Sequence, residues 1–85
     1  MTPTQIQAVS EAADEIRRLI AQGDLPGASA VLTPLAVPEV VELVDRLPID
    51  DAAIVYRLLA KTRALEVFEA LSPGTRGDLV QALRN

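Results

Sequence analysis

A set of four apolar positions recurs along this chain every twelve residues. The first clear set is Val40, Leu43, Val44 and Leu47. It is followed by Ala52, Val55, Tyr56 and Leu59, and then by Ala64, Val67, Phe68 and Leu71. A further set, Arg76, Leu79, Val80 and Leu83, keeps the pattern except at its first position. Backwards, Ala28, Val31, Leu32 and Leu35 fit it, and Ile16, Leu19 and Ile20 fit it more loosely. Within each set the spacing is i, i+3, i+4, i+7, which is one face of an α-helix. At about 100° per residue, twelve residues turn a continuous helix through roughly 1200°, leaving each stripe about 120° from the last. A single long helix would scatter the stripes around its circumference. Short helices, one per unit with a turn between, can aim every stripe at a shared core. The pattern therefore predicts an all-α, solenoid-like stack of about six short helices in which no unit buries its stripe alone.

Local signals place the breaks. Thr2 and Pro3 make a helix start, with Gln5 three residues beyond the cap. The first helix is expected over Pro3 to Gln22, its stripe formed by Ile6, Val9, Ala13, Ile16, Leu19 and Ile20. Gly23 supplies the left-handed residue that ends it. Asp24 caps a second helix from Leu25 to Thr33, which Pro34 stops because the residue before a proline leaves the helical region. Pro38 opens a third helix to about Leu47, closed by Pro48. Asp50 is expected to cap a fourth, to about Ala60. The segment LLAKTRAL has neither Gly nor Pro, and Thr62 is its only cap candidate, yet the stripe rotation demands a break or kink there. Ser72-Pro73 starts a sixth helix to about Arg84. The connections are too short for a linker, so one domain over residues 1–85 is expected. Its core should be Leu19, Ile20, Val31, Leu32, Leu43, Val44, Leu47, Val55, Tyr56, Leu59, Val67, Phe68 and Leu71.

Composition narrows the chemistry. The 85 residues include no Cys and no His, which removes disulfides, thiolate metal sites and the commonest general base. The hydroxyls Ser10, Ser29, Ser72, Thr62 and Thr75 thus have no histidine partner. The glycines at 23, 27, 74 and 77 form no phosphate loop. No catalytic residue and no organic cofactor site is expected, and the chain is read as a non-enzyme. With 12 Asp plus Glu against 8 Lys plus Arg, the net charge is −4. That balance speaks against nucleic acid or an anionic membrane as partner, since both want a basic footprint. No secretory leader or apolar span is evident, and a cytoplasmic setting is expected. The carboxylates also fall in rows: Glu42, Glu66 and Asp78 share one, Asp45 and Glu69 another. Glu39, Glu42 and Asp45 lie on one side of the third helix. Stacked units would present an acidic strip, which suits a hard cation such as Mg²⁺ or Ca²⁺ or remains a solvated face.

From Ile16 to Leu83 the chain resembles the cytosolic N-terminal domain of the MgtE-type magnesium transporters and channels. The resemblance rests on several marks: the helix–Gly-Asp–helix opening (Leu19 to Leu25), Leu47-Pro48, the Ala64-x-Glu66-Val67 core of the fifth helix, and Leu71-Ser72-Pro73. It implies a right-handed superhelix that serves as a Mg²⁺-sensing module on the cytoplasmic side of the cell membrane. Such a module docks on the CBS domains of the same full-length chain when Mg²⁺ bridges acidic surfaces, and so favours a closed pore. This segment itself would not enter the membrane. By position Glu66 corresponds to a Mg²⁺-contacting acid of the family, while Glu69, Glu42 and Asp78 are its neighbours by repeat row. The family often has an Asp-containing segment at the start of the third helix, where this chain has Val37-Pro38-Glu39-Val40-Val41, with Glu39 in the acidic place. The family domain usually continues beyond Leu83, so a C-terminally incomplete fragment is expected. On that reading Leu79, Val80 and Leu83 are partly exposed, or covered by a second copy in a homodimer. A second reading is a stand-alone protein-interaction domain, because the flagellar switch protein carries similar superhelical units.

Overall fold

Gly23 makes the first corner. Its φ of 74° lies in the left-handed region, which costs an L side chain roughly 1–2 kcal/mol and glycine little. The corner is closed by two bonds: the Gly23 N–H donates to the Ile20 carbonyl at 3.0 Å, and the Asp24 N–H donates to that of Leu19 at 2.9 Å. This is the paired C-terminal arrangement that satisfies the last carbonyls of a helix. Asp24 then caps the next helix, its side chain accepting from the Gly27 N–H at 2.9 Å. One residue thus ends one helix and begins another. Gly27 makes this possible, because a Cβ there would stand 2.4 Å from Asp24 Oδ2.

The structure is a computed structural model describing residues 3–84, with side chains from residue 8. The Thr2 cap and the Ile6 end of the first stripe lie outside the described residues. The helices are α1 (Pro3–Ala21), α2 (Leu25–Leu32), α3 (Val37–Arg46), α4 (Ile49–Leu58), α5 (Lys61–Ala70) and α6 (Pro73–Arg84). No strand occurs among the described residues. α1 packs on α2 and α3, α2 on α4, α3 on α4 and α5, and α4 on α6.

The helix ends correct three sequence expectations. Pro48, not Asp50, is the N-cap of α4; its carbonyl accepts the Ala52 N–H at 2.9 Å. Asp50 and Asp51 sit in the first turn instead, where their charge favours the positive end of the helix dipole. Ala60, not Thr62, is the N-cap of α5, accepting the Ala64 N–H at 2.8 Å. α3 begins at Val37 with Ala36 as its N-cap, one residue before the expected Pro38, which falls in the first turn, where a missing N–H costs nothing. The break inside LLAKTRAL is present: Leu59 and Ala60 are both extended, at ψ 144° and 148°. Neither residue demands that conformation. Tertiary burial imposes it, because it lets Leu59 pack on the core while a new stripe starts at Ala64.

The core is aliphatic. Ile16, Val40, Leu43, Val55, Val67 and Leu79 are completely buried, and no described polar or charged residue is buried with them. Of the expected core, Leu19, Leu32, Leu43, Val44, Leu47, Val55, Val67 and Leu71 are buried. Ile20, Val31, Tyr56, Leu59 and Phe68 pack on it half-buried. Tyr56 and Phe68 meet edge to face, ring centroids 6.2 Å apart. The C-terminal expectation fails at Leu79, which is fully buried because α6 packs back onto α4. Leu83 is half-buried, whereas Val80, about 100° further round α6, is 40% exposed.

Two substitutions test this packing. Leu43→Ala should lower stability by about 2–5 kcal/mol, read from urea denaturation. Ala60→Ser should raise it by about 0.5–2 kcal/mol, because a hydroxyl would cap an N-terminus that now has no side-chain acceptor.

Candidate functional site

The arginines explain where the charge of this chain is free. Arg63, on α5, donates from Nη1 to the Leu32 carbonyl at 3.1 Å and from Nη2 to the Leu35 carbonyl. A guanidinium there neutralises the carbonyl end of α2 and ties it to α5. Arg57 donates to the Leu83 carbonyl at 3.2 Å, linking α4 to the end of α6. Arg46 donates to Ser10 Oγ at 3.0 Å, linking α3 to α1. Arg17 approaches Asp51 at 3.7 Å across α1 and α4. Arg18 donates to Glu15 one turn away, which lowers the Glu15 carboxyl from its usual value and raises Arg18. Four of the eight cations, Arg17, Arg46, Arg57 and Arg63, therefore tie helices together, two of them through backbone carbonyls.

The carboxylates expected to face a metal are left without such partners. Glu66 and Glu69 stand on α5, three residues apart and both exposed. Glu42 is half-buried on α3, which packs on α5. Asp78 is exposed on α6 and borders a shallow depression with Ile49, Asp50, Gln81 and Ala82. None of the four makes a hydrogen bond or ion pair with another described residue. Glu39 differs: its Oε1 accepts from the Ala36 N–H at 2.9 Å, so it serves the start of α3. Ala36 has no oxygen to return that bond.

The structure does not gather these acids into one cluster. Among the described residues no group of three or more Asp or Glu is placed to hold a metal ion. Glu66 and Glu69, one turn apart, offer two carboxylates from a single helix face. Asp78 stands instead on the α6 side, where it borders the same depression as Asp50. That neighbour was read from sequence as a cap; only the packing of α4 on α6 brings it beside Asp78. Such a surface can present oxygen ligands to a cation but cannot surround one.

The chain is thus a small all-helical domain with an aliphatic core and unneutralised acids on the outer faces of its helices. The family model described as the MgtE intracellular N domain matches residues 35–85, and the chain belongs to that family. The match begins inside the stretch, starting at Ile16, over which the sequence resemblance runs. No curated protein and no solved structure matches the chain. Among the described residues no helix is long and apolar enough to cross a membrane.

The Arg63 bridge has a measurable consequence. Arg63→Ala should destabilise the chain by roughly 1.5–3 kcal/mol, because it removes charged hydrogen bonds to the part-buried end of α2. Arg63→Lys should restore only part of that loss in chemical denaturation, since an ammonium cannot span both carbonyls with a planar fork.

Proposed function

We propose that this chain is the cytosolic, Mg²⁺-sensing module of a magnesium transporter or channel. The observation that carries the reading is the MgtE intracellular N domain match over residues 35–85. The free carboxylates of Glu66 and Glu69 on α5 support it, as does the engagement of most arginines in structural contacts. The helices wind as a right-handed superhelix of repeated units. In support, the helices α2 to α6 start at Leu25, Val37, Ile49, Lys61 and Pro73, twelve residues apart each time. Each of α1 to α4 also packs on the helix two places further on, as stacked units do.

The mechanism follows from the incomplete site. Mg²⁺ prefers octahedral oxygen coordination, retains several waters and takes few protein carboxylates. Glu66 and Glu69 provide half a site, with Glu42 and Asp78 adding negative potential from α3 and α6. The other half comes from acidic groups on a second surface, that of CBS domains in the same full-length chain. With the ion absent, two like-charged surfaces repel and the module stays undocked. With the ion present, bridging favours the docked form, and with it the closed pore. A shift from 1:99 to 99:1 needs about a 10⁴-fold difference in ion affinity between the two forms, on the order of 5.5 kcal/mol. Several bridging ions share that more readily than one.

The module alone should bind Mg²⁺ at millimolar affinity or weaker, with NMR shifts at Glu66 and Glu69 on titration. In the full-length protein, Glu66→Ala should move the Mg²⁺ dependence of protease protection to higher concentration. An unmoved protection curve would remove Glu66 from the sensing site.

A further inference from the structure

We propose that Glu39 and Arg63 work as one unit, coupled through the peptide group between Leu35 and Ala36, and that this unit sets the direction in which α5 carries Glu66 and Glu69. The Leu35 carbonyl accepts from Arg63 Nη2, and the Ala36 N–H donates to Glu39 Oε1 at 2.9 Å. Those two groups belong to one planar trans peptide and point in opposite directions. A cation therefore sits at the oxygen end of that peptide dipole and an anion at its hydrogen end. Both bonds are charge-assisted, and each polarises the peptide in the sense that strengthens the other. Among the described residues no ion pair joins Arg63 to Glu39 directly, so the peptide is the link between them.

The rest of the corner closes around this peptide. The Leu32 carbonyl takes both the Leu35 N–H at 3.0 Å and Arg63 Nη1 at 3.1 Å. The Ala36 carbonyl takes the Val40 N–H at 3.0 Å, the first bond of α3. Arg63 thus holds the last carbonyl of α2 and one in the connection to α3 with a single planar fork, which fixes the orientation of the guanidinium. Glu39 lies in the first turn of α3 and Arg63 in the first turn of α5. The unit therefore joins the starts of two helices that pack on each other.

The N-terminal end of α5 has little else to hold it. Ala60 caps it without a side-chain bond, Lys61, Thr62 and Leu65 are exposed, and the completely buried Val67 comes one turn after Arg63. Arg63 therefore fixes the rotation of this helix about its axis. At about 100° per residue, Glu66 stands about 60° round from Arg63 and Glu69 about 120°, on the same side. Turning α5 moves both carboxylates together. Glu66 also lies at i+3 from Arg63, a spacing at which opposite charges pair on a helix. With Arg63 held on the two carbonyls, Glu66 keeps its charge for a cation. Glu39 is engaged at the corner and is not one of the cation-facing acids. The bearing on Mg²⁺ sensing rests on the function proposed above; the coupling and the helix direction do not.

The 85-residue chain in EDTA tests the coupling and the direction without any metal. Glu39→Gln keeps an oxygen for the Ala36 N–H and removes the charge, while Arg63→Lys keeps the charge and loses the fork. In urea denaturation the folding equilibrium constant of the double variant should exceed the product of the two single losses by about fivefold, as for residues in one hydrogen-bond network. Agreement with that product to within about twofold would overturn the coupling. Residual dipolar couplings of the backbone amides should show α5 turned relative to α3 in each single variant, with α4 and α6 keeping their relative direction. Unchanged α5 couplings in both variants would remove the positioning role, even if stability falls. Mg²⁺ alone is then added to the folded chains and the side-chain carboxyl resonances are followed. Glu66 should respond at higher Mg²⁺ in both variants and Asp78 at the same concentration as in the unsubstituted chain. In that chain Glu39 should stay silent, and a Glu39 response matching that of Glu66 would count against the proposal. A Glu66 that ignores Mg²⁺ in the unsubstituted chain, with α5 turned in the variants, would sink the proposed function while supporting this pair.

Discussion

Everything in this structure depends on the inability of its helices to stand alone. Helices α2 to α6 have 8 to 12 residues each, below the length at which an isolated helix is stable in water. Each must bury its stripe against others, and the completely buried Ile16, Leu43 and Leu79 mark where α1, α3 and α6 do so. With one Phe, one Tyr and no Trp, the chain builds this core from aliphatic side chains. No single large residue dominates, so packing is shared among many helices and a loss at one position is felt by several.

The same dependence governs the polar contacts. Short helices have many ends, and every end leaves carbonyls or amides to be satisfied. Side chains from distant helices do part of that work: Arg63 serves the end of α2 and Arg57 the end of α6. Cations used in this way are no longer available to the acids. The exposed charge of Glu66, Glu69 and Asp78 is in that sense a by-product of how the helix ends are closed. It leaves exposed carboxylates on the outer faces of α5 and α6.

Function and fold were not equally legible. The Leu71-Ser72-Pro73 start and the Gly23-Asp24 corner were readable because Ser, Pro, Gly and Asp act through their own backbone chemistry. Asp50 and Thr62 misled for the same reason: both are good caps, yet each lies inside a helix that starts earlier, after Pro48 and Ala60. Ala12 and Ala53 are buried although neither belongs to a stripe read from the sequence. The candidate acids could be named from their rows, and Glu66 and Glu69 are exposed where their helical phase puts them. That Asp78 and Asp50 line one depression could not be foreseen, because it depends on how α6 lies on α4.

What the sequence determined by itself is the local part: α-helix throughout, breaks near each proline and at Leu59-Ala60, and an acidic surface on an aliphatic core. Those follow from spacing, backbone restriction and charge count, which act within a turn or two of chain. The tertiary structure alone decided where α3, α4 and α5 begin, that Leu79 is covered, and which carbonyls the arginines meet. Arg63 and Leu32 are 31 residues apart, and nothing local links them. Their contact exists because burying several short stripes at once leaves few ways to stack the helices, and the chosen stack brings the end of α2 to the start of α5.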